Sequence, residues 1–102
     1  MKRVEYTQFL TDEDKLRVSF EQERGRIKKF VVQYYGLTRV RWRTIMRIDN
    51  CHGFPHRHIY HLHRRKEYRT LLDQDNNSAF TSSKVYVIKN FQTIRENYLF
   101  SH

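Results

Sequence analysis

The sequence predicts an α+β domain, a four-stranded antiparallel sheet with one C-terminal helix packed on one face. Two observations lead to this fold class. Apolar and polar residues alternate over three successive stretches between residues 16 and 48, with short turns between them. Near the C-terminus, the apolar spacing changes to that of a helix. The 102 residues suffice for a single domain with one modest core.

The predicted strands follow one another with short connections. The first is centred on Leu16–Phe20, the second covers Ile27–Tyr35 and the third covers Val40–Asp49. Turns are predicted at residues 23–26 and 36–38, which favours an antiparallel meander. The loop at residues 50–55 contains Gly53 and Pro55, and a fourth alternating stretch follows at residues 56–63. Residues 1–14 are treated as an N-terminal extension to which no element is assigned.

The third strand has the clearest alternation, which predicts a different role for each of its two faces. The face expected to pack in the core carries Val40, Trp42, Thr44, Met46 and Ile48. The opposite face would then carry Arg41, Arg43, Ile45, Arg47 and Asp49, a row of guanidinium groups available to a ligand. In the fourth strand, His56 and His58 would share a face with Tyr60, while Arg57 would lie on the other.

The C-terminal third is predicted to be mostly helical. Residues 64–72 are typical of a short helix or an extended segment, and residues 73–78 of a loop. A helix capped by Ser82 or Ser83 would follow, although residues 85–88 could instead form a last strand. The apolar stripe of this helix contains Val87, Phe91, Ile94 and Tyr98. We expect Phe91 and Ile94 to pack on Trp42 and Met46.

The charge of the chain indicates a polyanionic partner. Twenty Lys and Arg residues against 11 acids give a net charge of +9, and nine of these cations, against two acids, fall between residues 39 and 69. Nucleic acid is the usual partner of such a domain. No stretch is apolar enough for a membrane span or a signal peptide, so no membrane partner is expected. The lone Cys51 suits a reducing cytoplasm.

A cluster of histidines is the best pointer to chemistry. Five of the six histidines lie within twelve residues, at positions 52, 56, 58, 61 and 63. The unperturbed pKa of histidine, about 6.5, lets it donate and accept protons near neutrality, and it is the commonest metal ligand. One reading is a catalytic metal site formed by His56, His58 and either His52 or Asp49. Another treats the histidines as surface residues of an edge strand, with Asp49 ordering the loop.

A third reading is RNA cleavage without a metal ion or other cofactor. This reaction needs a base for the 2′-hydroxyl, an acid for the leaving 5′-oxygen, and cations for the charge that develops on phosphorus. His52, His56 and His58 are the candidate acid and base groups, and Asp49 would orient one of them. Aromatic residues would stack unpaired bases, with Phe54, Tyr60 and Tyr68 as candidates. The phosphate-binding candidates are Arg41, Arg43, Arg47 and Arg57.

Three segments of the chain resemble the TumE family of small toxins: residues 46–52 with Asp49, Asn50 and His52; His56-Arg-His58; and residues 85–99. The resemblance covers most of the chain from about residue 15, and five residues match in detail: Asp49, Asn50, His52, His56 and His58. It implies the toxin component of a type II toxin–antitoxin system, acting on RNA or the translation machinery and neutralised by an antitoxin protein. We therefore expect a cytoplasmic, metal-independent ribonuclease. A non-catalytic nucleic-acid-binding module and a metal-dependent hydrolase are the alternatives.

Overall fold

A computed structural model describes residues 1–62 and 64–100, with only the backbone described for residues 64–69. The α+β class is confirmed, but the antiparallel sheet has six strands, not the four predicted, arranged in sequence order. A single helix follows them in the described part of the chain. The elements are β1 Lys2–Thr11, β2 Asp14–Glu23, β3 Arg26–Thr38, β4 Arg41–Asp49, β5 His56–His61, β6 Arg64–Leu71 and α1 Asn76–Phe100.

Both additional strands lie at the edges of the sheet. β1 is formed by residues that were interpreted as an extension, and it pairs with β2. Nearly all its side chains are exposed, so its sequence lacks the apolar alternation that identifies a half-buried strand. β6 pairs with β5 over residues for which a helix or an extended segment had been predicted. His63 and the side chain of Tyr68 lie outside the described residues.

The core lies between α1 and one side of the sheet, here called the helix face; the other side is the open face. α1 packs chiefly on β3. On β2 and β3, every second residue points into this core, and the fully buried ones are Leu16, Val18, Phe30, Val32 and Tyr34. From the helix, Phe80 packs its ring on Phe30, with 5.7 Å between ring centroids. The regular period-two alternation of apolar residues in these two strands is thus the pattern of strands buried on one side.

The helix begins two turns before the predicted cap. Asp75 caps it: its carboxylate accepts a hydrogen bond from the Ser78 backbone N–H at 2.8 Å, and its carbonyl accepts one from Ala79 N–H. The hydrogen bonds from the backbone N–H and the hydroxyl of Ser78 hold the pKa of Asp75 below its usual value. Ser82 and Ser83 lie inside the helix, as do residues 85–88, so the alternative of a last strand is wrong.

A β-bulge in β4 changes the predicted distribution of its side chains. Tyr34 pairs with Met46 and Tyr35 with Thr44, which leaves Ile45 as an extra residue in β4. Ile45 is buried against Gly36 on the helix face. Met46 and Ile48 point to the core as predicted. On the other side of the bulge, the alternation is reversed.

The reversal corrects two predictions. Trp42 pairs with Leu37 and lies on the open face, so it does not join the core stripe formed with the helix. Arg41 and Arg43 pair with Thr38 and Gly36 and therefore lie on the helix face, whereas Arg47 lies on the open face. A single ladder of three guanidinium groups is thus not formed, because one inserted residue in a strand exchanges its two faces.

An ion pair fastens the helix to the sheet. The terminal nitrogens of Arg95 donate to Asp14 Oδ1 at 3.0 Å, to the Leu37 carbonyl at 2.7 Å, and to the carbonyl and carboxylate of Glu13. Asp14 also accepts hydrogen bonds from the hydroxyls of Tyr34 and Thr11. Burial disfavours the charged form of Asp14, but these three donors outweigh it and lower the pKa of the carboxyl.

Candidate active site on the open face

The register of β4 and β5 brings four predicted site residues together. Arg47 pairs with His58 and Asp49 with His56. Paired residues of an antiparallel sheet point to the same side, so these four side chains share the open face. They lie where β4 ends and β5 begins, on either side of the loop at residues 50–55. The strand pairing thus brings Arg47, Asp49, His56 and His58 to one face of the sheet.

Asp49 is the centre of this group, and its side chain is almost completely buried. Its Oδ2 accepts a hydrogen bond from Arg47 Nε at 2.8 Å and lies 3.3 Å from His58 Nε2. Its Oδ1 accepts the Cys51 backbone N–H at 3.0 Å. Burial raises the pKa of Asp49, but the hydrogen bonds from Cys51 and Arg47 and the nearby charge outweigh it, so the pKa is lowered. Asp49 is therefore a fixed negative charge at neutral pH.

His56 and His58 of β5 differ in accessibility. His56 is half-buried, and its Nδ1 lies 2.8 Å from the Phe54 carbonyl oxygen. A carbonyl oxygen only accepts hydrogen bonds, so Nδ1 carries the proton and Nε2 of neutral His56 is left as a base. His58 is only 5% exposed and packs beside Asp49. The ring centroids of the two histidines are 6.4 Å apart.

The loop contributes one exposed histidine and one structural amide. His52 is exposed in the turn between β4 and β5. Asn50 is buried: its Oδ1 accepts the Phe30 N–H and its Nδ2 donates to the Lys28 carbonyl, each at 3.0 Å. The Asn50 side chain thus takes the place of a backbone partner where β4 stops pairing with β3. Asp49 and Asn50 together fix the start of the loop that carries His52.

Three of the four arginines proposed to bind phosphate lie away from this group. Arg41 and Arg43 are on the helix face, beyond the bulge. Arg57 pairs with Ile48 on that same face, and its guanidinium lies over the Tyr86 ring of α1, 4.9 Å from the centroid. It lines a groove of about 890 Å³ between α1 and β5. Only Arg47 accompanies the histidines, because alternation along β5 sends Arg57 to the opposite side from His56 and His58.

An aromatic cluster on the open face was not predicted from the sequence. Lys15 Nζ lies 4.1 Å from the centroid of Trp42, 5.6 Å from that of Tyr35 and 5.8 Å from that of Phe9. Phe9 is 61% exposed and meets Trp42 edge to face. We call these four residues the aromatic–lysine cluster. No sequence signal indicated it, since its members come from four strands and Trp42 lies on the reversed part of β4. Phe54, a predicted stacking residue, is exposed in the loop.

The described His, Cys, Asp and Glu side chains are not arranged to share a metal ion. Within residues 1–62 and 70–100, no three side chains of His, Cys, Asp or Glu are grouped so that they could hold one ion. His56 and His58 lie on one strand face, as expected, but Asp49 is oriented towards Arg47 and His58.

Among the described residues, no helix combines the length and apolarity needed to cross a membrane.

Comparison with known proteins gives a family without an assigned activity. A family model described as a domain of unknown function (DUF7718) matches residues 1–102. No curated protein matches the chain, and neither does any solved structure.

Proposed function

The chain belongs to the DUF7718 family, and we propose that it binds single-stranded RNA on the open face and cleaves it there without a metal ion. The observation that carries this proposal is the grouping of Arg47, Asp49, His56 and His58 on paired positions of β4 and β5. A proton-transferring ring, a guanidinium and a buried carboxylate then face one surface of a strongly basic protein. This combination suits the reaction predicted from the sequence.

His56 is the base in the proposed reaction. Its Nε2 takes the proton of the 2′-hydroxyl, the 2′-oxygen bonds to phosphorus, and the bond from phosphorus to the 5′-oxygen breaks. The leaving 5′-oxygen takes its proton from His52, which lies in the loop between β4 and β5. Arg47 supplies positive charge to the phosphoryl oxygens through its terminal nitrogens, since its Nε is held by Asp49. His58, packed against Asp49, positions this carboxylate and does not contact substrate.

The aromatic–lysine cluster is proposed to hold the bases. Unpaired bases stack on aromatic rings, each contributing about 1–3 kcal/mol. Trp42 is separated from Arg47 along β4 by only a few residues, or roughly 15 Å at the usual strand rise. Arg17 lies on the same face, paired with Gln33. Bound RNA would therefore run along the open face from stacked bases to the scissile phosphate.

Binding can be measured directly, because Trp42 is the sole tryptophan. Stacking of a base on the cluster should change its fluorescence during titration with a short single-stranded RNA. For single strands, each phosphate neutralised contributes about 0.7 to the slope of log K against log salt. Replacing Lys15 and Arg17 by Gln should flatten that slope by about 1.4 on the same basis. Arg41→Gln, on the helix face, should leave it unchanged; a reversed result would move binding to the helix face.

Cleavage is tested with a fluorogenic RNA across pH, with and without EDTA. A shared acid–base mechanism gives a bell-shaped pH profile and activity that survives the chelator. His56→Ala and His52→Ala should each reduce the rate by roughly 10²- to 10⁴-fold while leaving RNA affinity nearly unchanged. His61→Ala, at the far end of β5, is the matched control and should retain activity. Activity that is lost with EDTA and restored by a divalent ion would contradict the metal-free mechanism.

A second candidate is a non-catalytic RNA-binding module, favoured by one specific observation. His58 is 5% exposed, so of His56 and His58 only His56 is accessible to a ligand. In that case, RNA would quench Trp42 fluorescence, but the wild-type protein would cleave nothing at any pH. The same two measurements therefore separate the candidates.

The toxin role, with a cognate antitoxin and a cytoplasmic location, is proposed on narrower support. It rests on the resemblance to the TumE family and on the net charge of +9, which would attract an acidic partner. Expression of the wild type should slow growth and degrade cellular RNA. The His52→Ala/His56→Ala variant should do neither while accumulating to the same level. Equal growth of the two strains would contradict a toxin that acts through this site.

A further inference from the structure

A second cationic site lies on the helix face, opposite the open face. A cavity of about 330 Å³ is enclosed between the β3–β4 turn, the end of β5 and the C-terminal half of α1. Among the lining residues that the structure describes, three are arginines and none is acidic. The lining residues are Thr38, Arg39, Arg43, Leu62, Arg95 and Leu99.

The three arginines are not equivalent. Arg95 already donates through both terminal nitrogens to the β1–β2 turn and the Leu37 carbonyl. It therefore adds positive charge rather than free donors. In contrast, the guanidinium groups of Arg39 and Arg43 make no hydrogen bond or ion pair with any residue in the described part of the chain. Each offers a planar set of N–H donors, the geometry that matches the oxygens of a phosphate.

Thr38 supplies an independent indication of a ligand. The residue is 6% exposed, and its hydroxyl is buried with no hydrogen-bond partner among the described residues. Buried polar groups are normally paired, and one that is not calls for an explanation such as a bound ion or water. Thr38 lines the cavity, and the other polar side chains among its described lining residues are all arginines.

We propose that this cavity binds a phosphate-type oxyanion, held by Arg39 and Arg43 and accepting a hydrogen bond from the Thr38 hydroxyl. The cavity exceeds the size of an inorganic phosphate ion, so it also admits the phosphate of a larger molecule. Two sources share this chemistry: a free phosphate compound, and the backbone of RNA that extends beyond the open face. The site is separate from the histidine site and does not depend on cleavage.

The first measurement is thermal unfolding in sodium phosphate against sodium chloride at equal ionic strength. A ligand that binds only the folded state raises the melting temperature of a domain of this size by roughly 10–20 °C once its concentration is about 100-fold above Kd. Arg43→Gln and Arg39→Gln should abolish the phosphate-specific rise. The matched control is Arg24→Gln: Arg24 also lies in a hairpin turn with a left-handed backbone, φ 52° against 59° for Arg39.

Thr38→Val separates binding from a purely structural role. Valine has the shape of threonine without the hydroxyl, so it removes an unpaired buried polar group. The variant should melt higher than wild type in chloride and respond less to phosphate. A structural role for the hydroxyl predicts the reverse in chloride, namely a lower melting temperature. That outcome, with the phosphate response intact, would overturn the proposal.

The source of the phosphate is resolved by the same variants. A phosphate-specific rise that Arg39→Gln and Arg43→Gln abolish, with RNA affinity unchanged, identifies a free phosphate compound. Loss of RNA affinity in these two variants but not in Arg24→Gln, with Trp42 still quenched at saturation, identifies the RNA backbone. If neither phosphate nor RNA distinguishes these variants from the control, the cavity is not an oxyanion site. Absence of cleavage by the wild type would not affect any of these readings.

Discussion

Two buried aspartates on opposite faces of the sheet have similar surroundings but different capacities. On the helix face, Asp14 is held by Arg95 and the Tyr34 hydroxyl. On the open face, Asp49 is held by Arg47 and the Cys51 N–H, beside His58. In both groups, an arginine and other donors outweigh burial and lower the pKa of the carboxyl.

The two groups differ in their third partner, which is Tyr34 for Asp14 and His58 for Asp49, and in whether α1 covers them. Burial and the adjacent Asp14 raise the pKa of Tyr34 far above the physiological range, so none of the groups around Asp14 exchanges a proton near neutral pH. The Asp14 group is covered by α1, and its ion pair holds the helix against the sheet. The Asp49 group includes a histidine, and the helix does not cover it. The same kind of ion pair therefore holds the helix against the sheet on one face and, on the other, lies at the surface proposed to bind and cleave RNA.

The largest expected effect is on the ion pair between Arg95 and Asp14, which holds α1 against the sheet. Arg95→Leu leaves the Asp14 carboxylate buried without its cation, and breaking such a pair typically costs about 3–5 kcal/mol. We expect a large fall in the urea midpoint with an unchanged m-value. The double variant Arg95→Leu/Asp14→Asn removes the stranded charge and should recover part of the loss. A double variant as unstable as the sum of both single changes would show that the charges act separately.

The next effect concerns the bulge that assigns β4 side chains to the two faces. A Cβ added to Gly36 would lie 2.4 Å from Ile45 Cδ1, so Gly36→Ala should destabilise the protein by about 1–3 kcal/mol through overpacking. Ile45→Val removes the Cδ1 atom, and the double variant should be more stable than Gly36→Ala alone. Thermal unfolding of the four proteins measures the coupling. No rescue by valine would place the clash elsewhere.

This bulge also marks the limit of prediction from the sequence. The core faces of β2 and β3 were predictable, because a strand buried on one side alternates regularly. β4 alternates as clearly, yet one inserted residue moved Trp42 to the open face and Arg43 to the helix face, and composition does not reveal such an insertion. The edge strand β1 was missed because it buries little. Asp49 and His56 were predictable as neighbours across a short loop.

Pairings between residues distant in the chain were not predictable in the same way. Asp14 and Arg95 are 81 positions apart, and only the packing of α1 on β3 brings them together. Lys15 and Trp42 meet because β2, β3 and β4 are adjacent and the bulge sets their faces. The sequence shows only that each of these residues is charged or aromatic. Which residue it contacts is set by strand pairing and by the packing of the helix.

A smaller effect on stability is expected at the Asp49 group. Asn in place of Asp49 keeps one acceptor oxygen and presents an NH2 group to the other donor, so it can accept from Cys51 N–H or from Arg47 Nε but not from both. Asp49→Asn should therefore cost about 2 kcal/mol, within the range for a hydrogen bond to a charged group. Its effect on RNA cleavage should be larger than this loss of stability suggests, since Arg47 and His58 would lose the charge that orients them. Urea unfolding and the fluorogenic assay on one preparation test both statements. A fall of more than 3 kcal/mol in the free energy of unfolding would mean that Asp49, like Asp14, serves mainly to stabilise the fold.

The last prediction concerns stability at acid pH and treats the two aspartates as alike. The pKa of each carboxyl is lower in the folded protein than its ordinary value of about 3.9. Each therefore contributes stability that is fully present above the unfolded pKa and is lost as the pH falls through the lower, folded pKa. Urea midpoints measured from pH 6 down to pH 2 should decline below about pH 4. Asp14→Asn and Asp49→Asn should each flatten this decline, while Asp12→Asn, in the exposed β1–β2 turn, should leave it unchanged. If only Asp14→Asn flattens it, the ion pair between Arg47 and Asp49 does not contribute to folding, and the Asp49 group serves the surface alone.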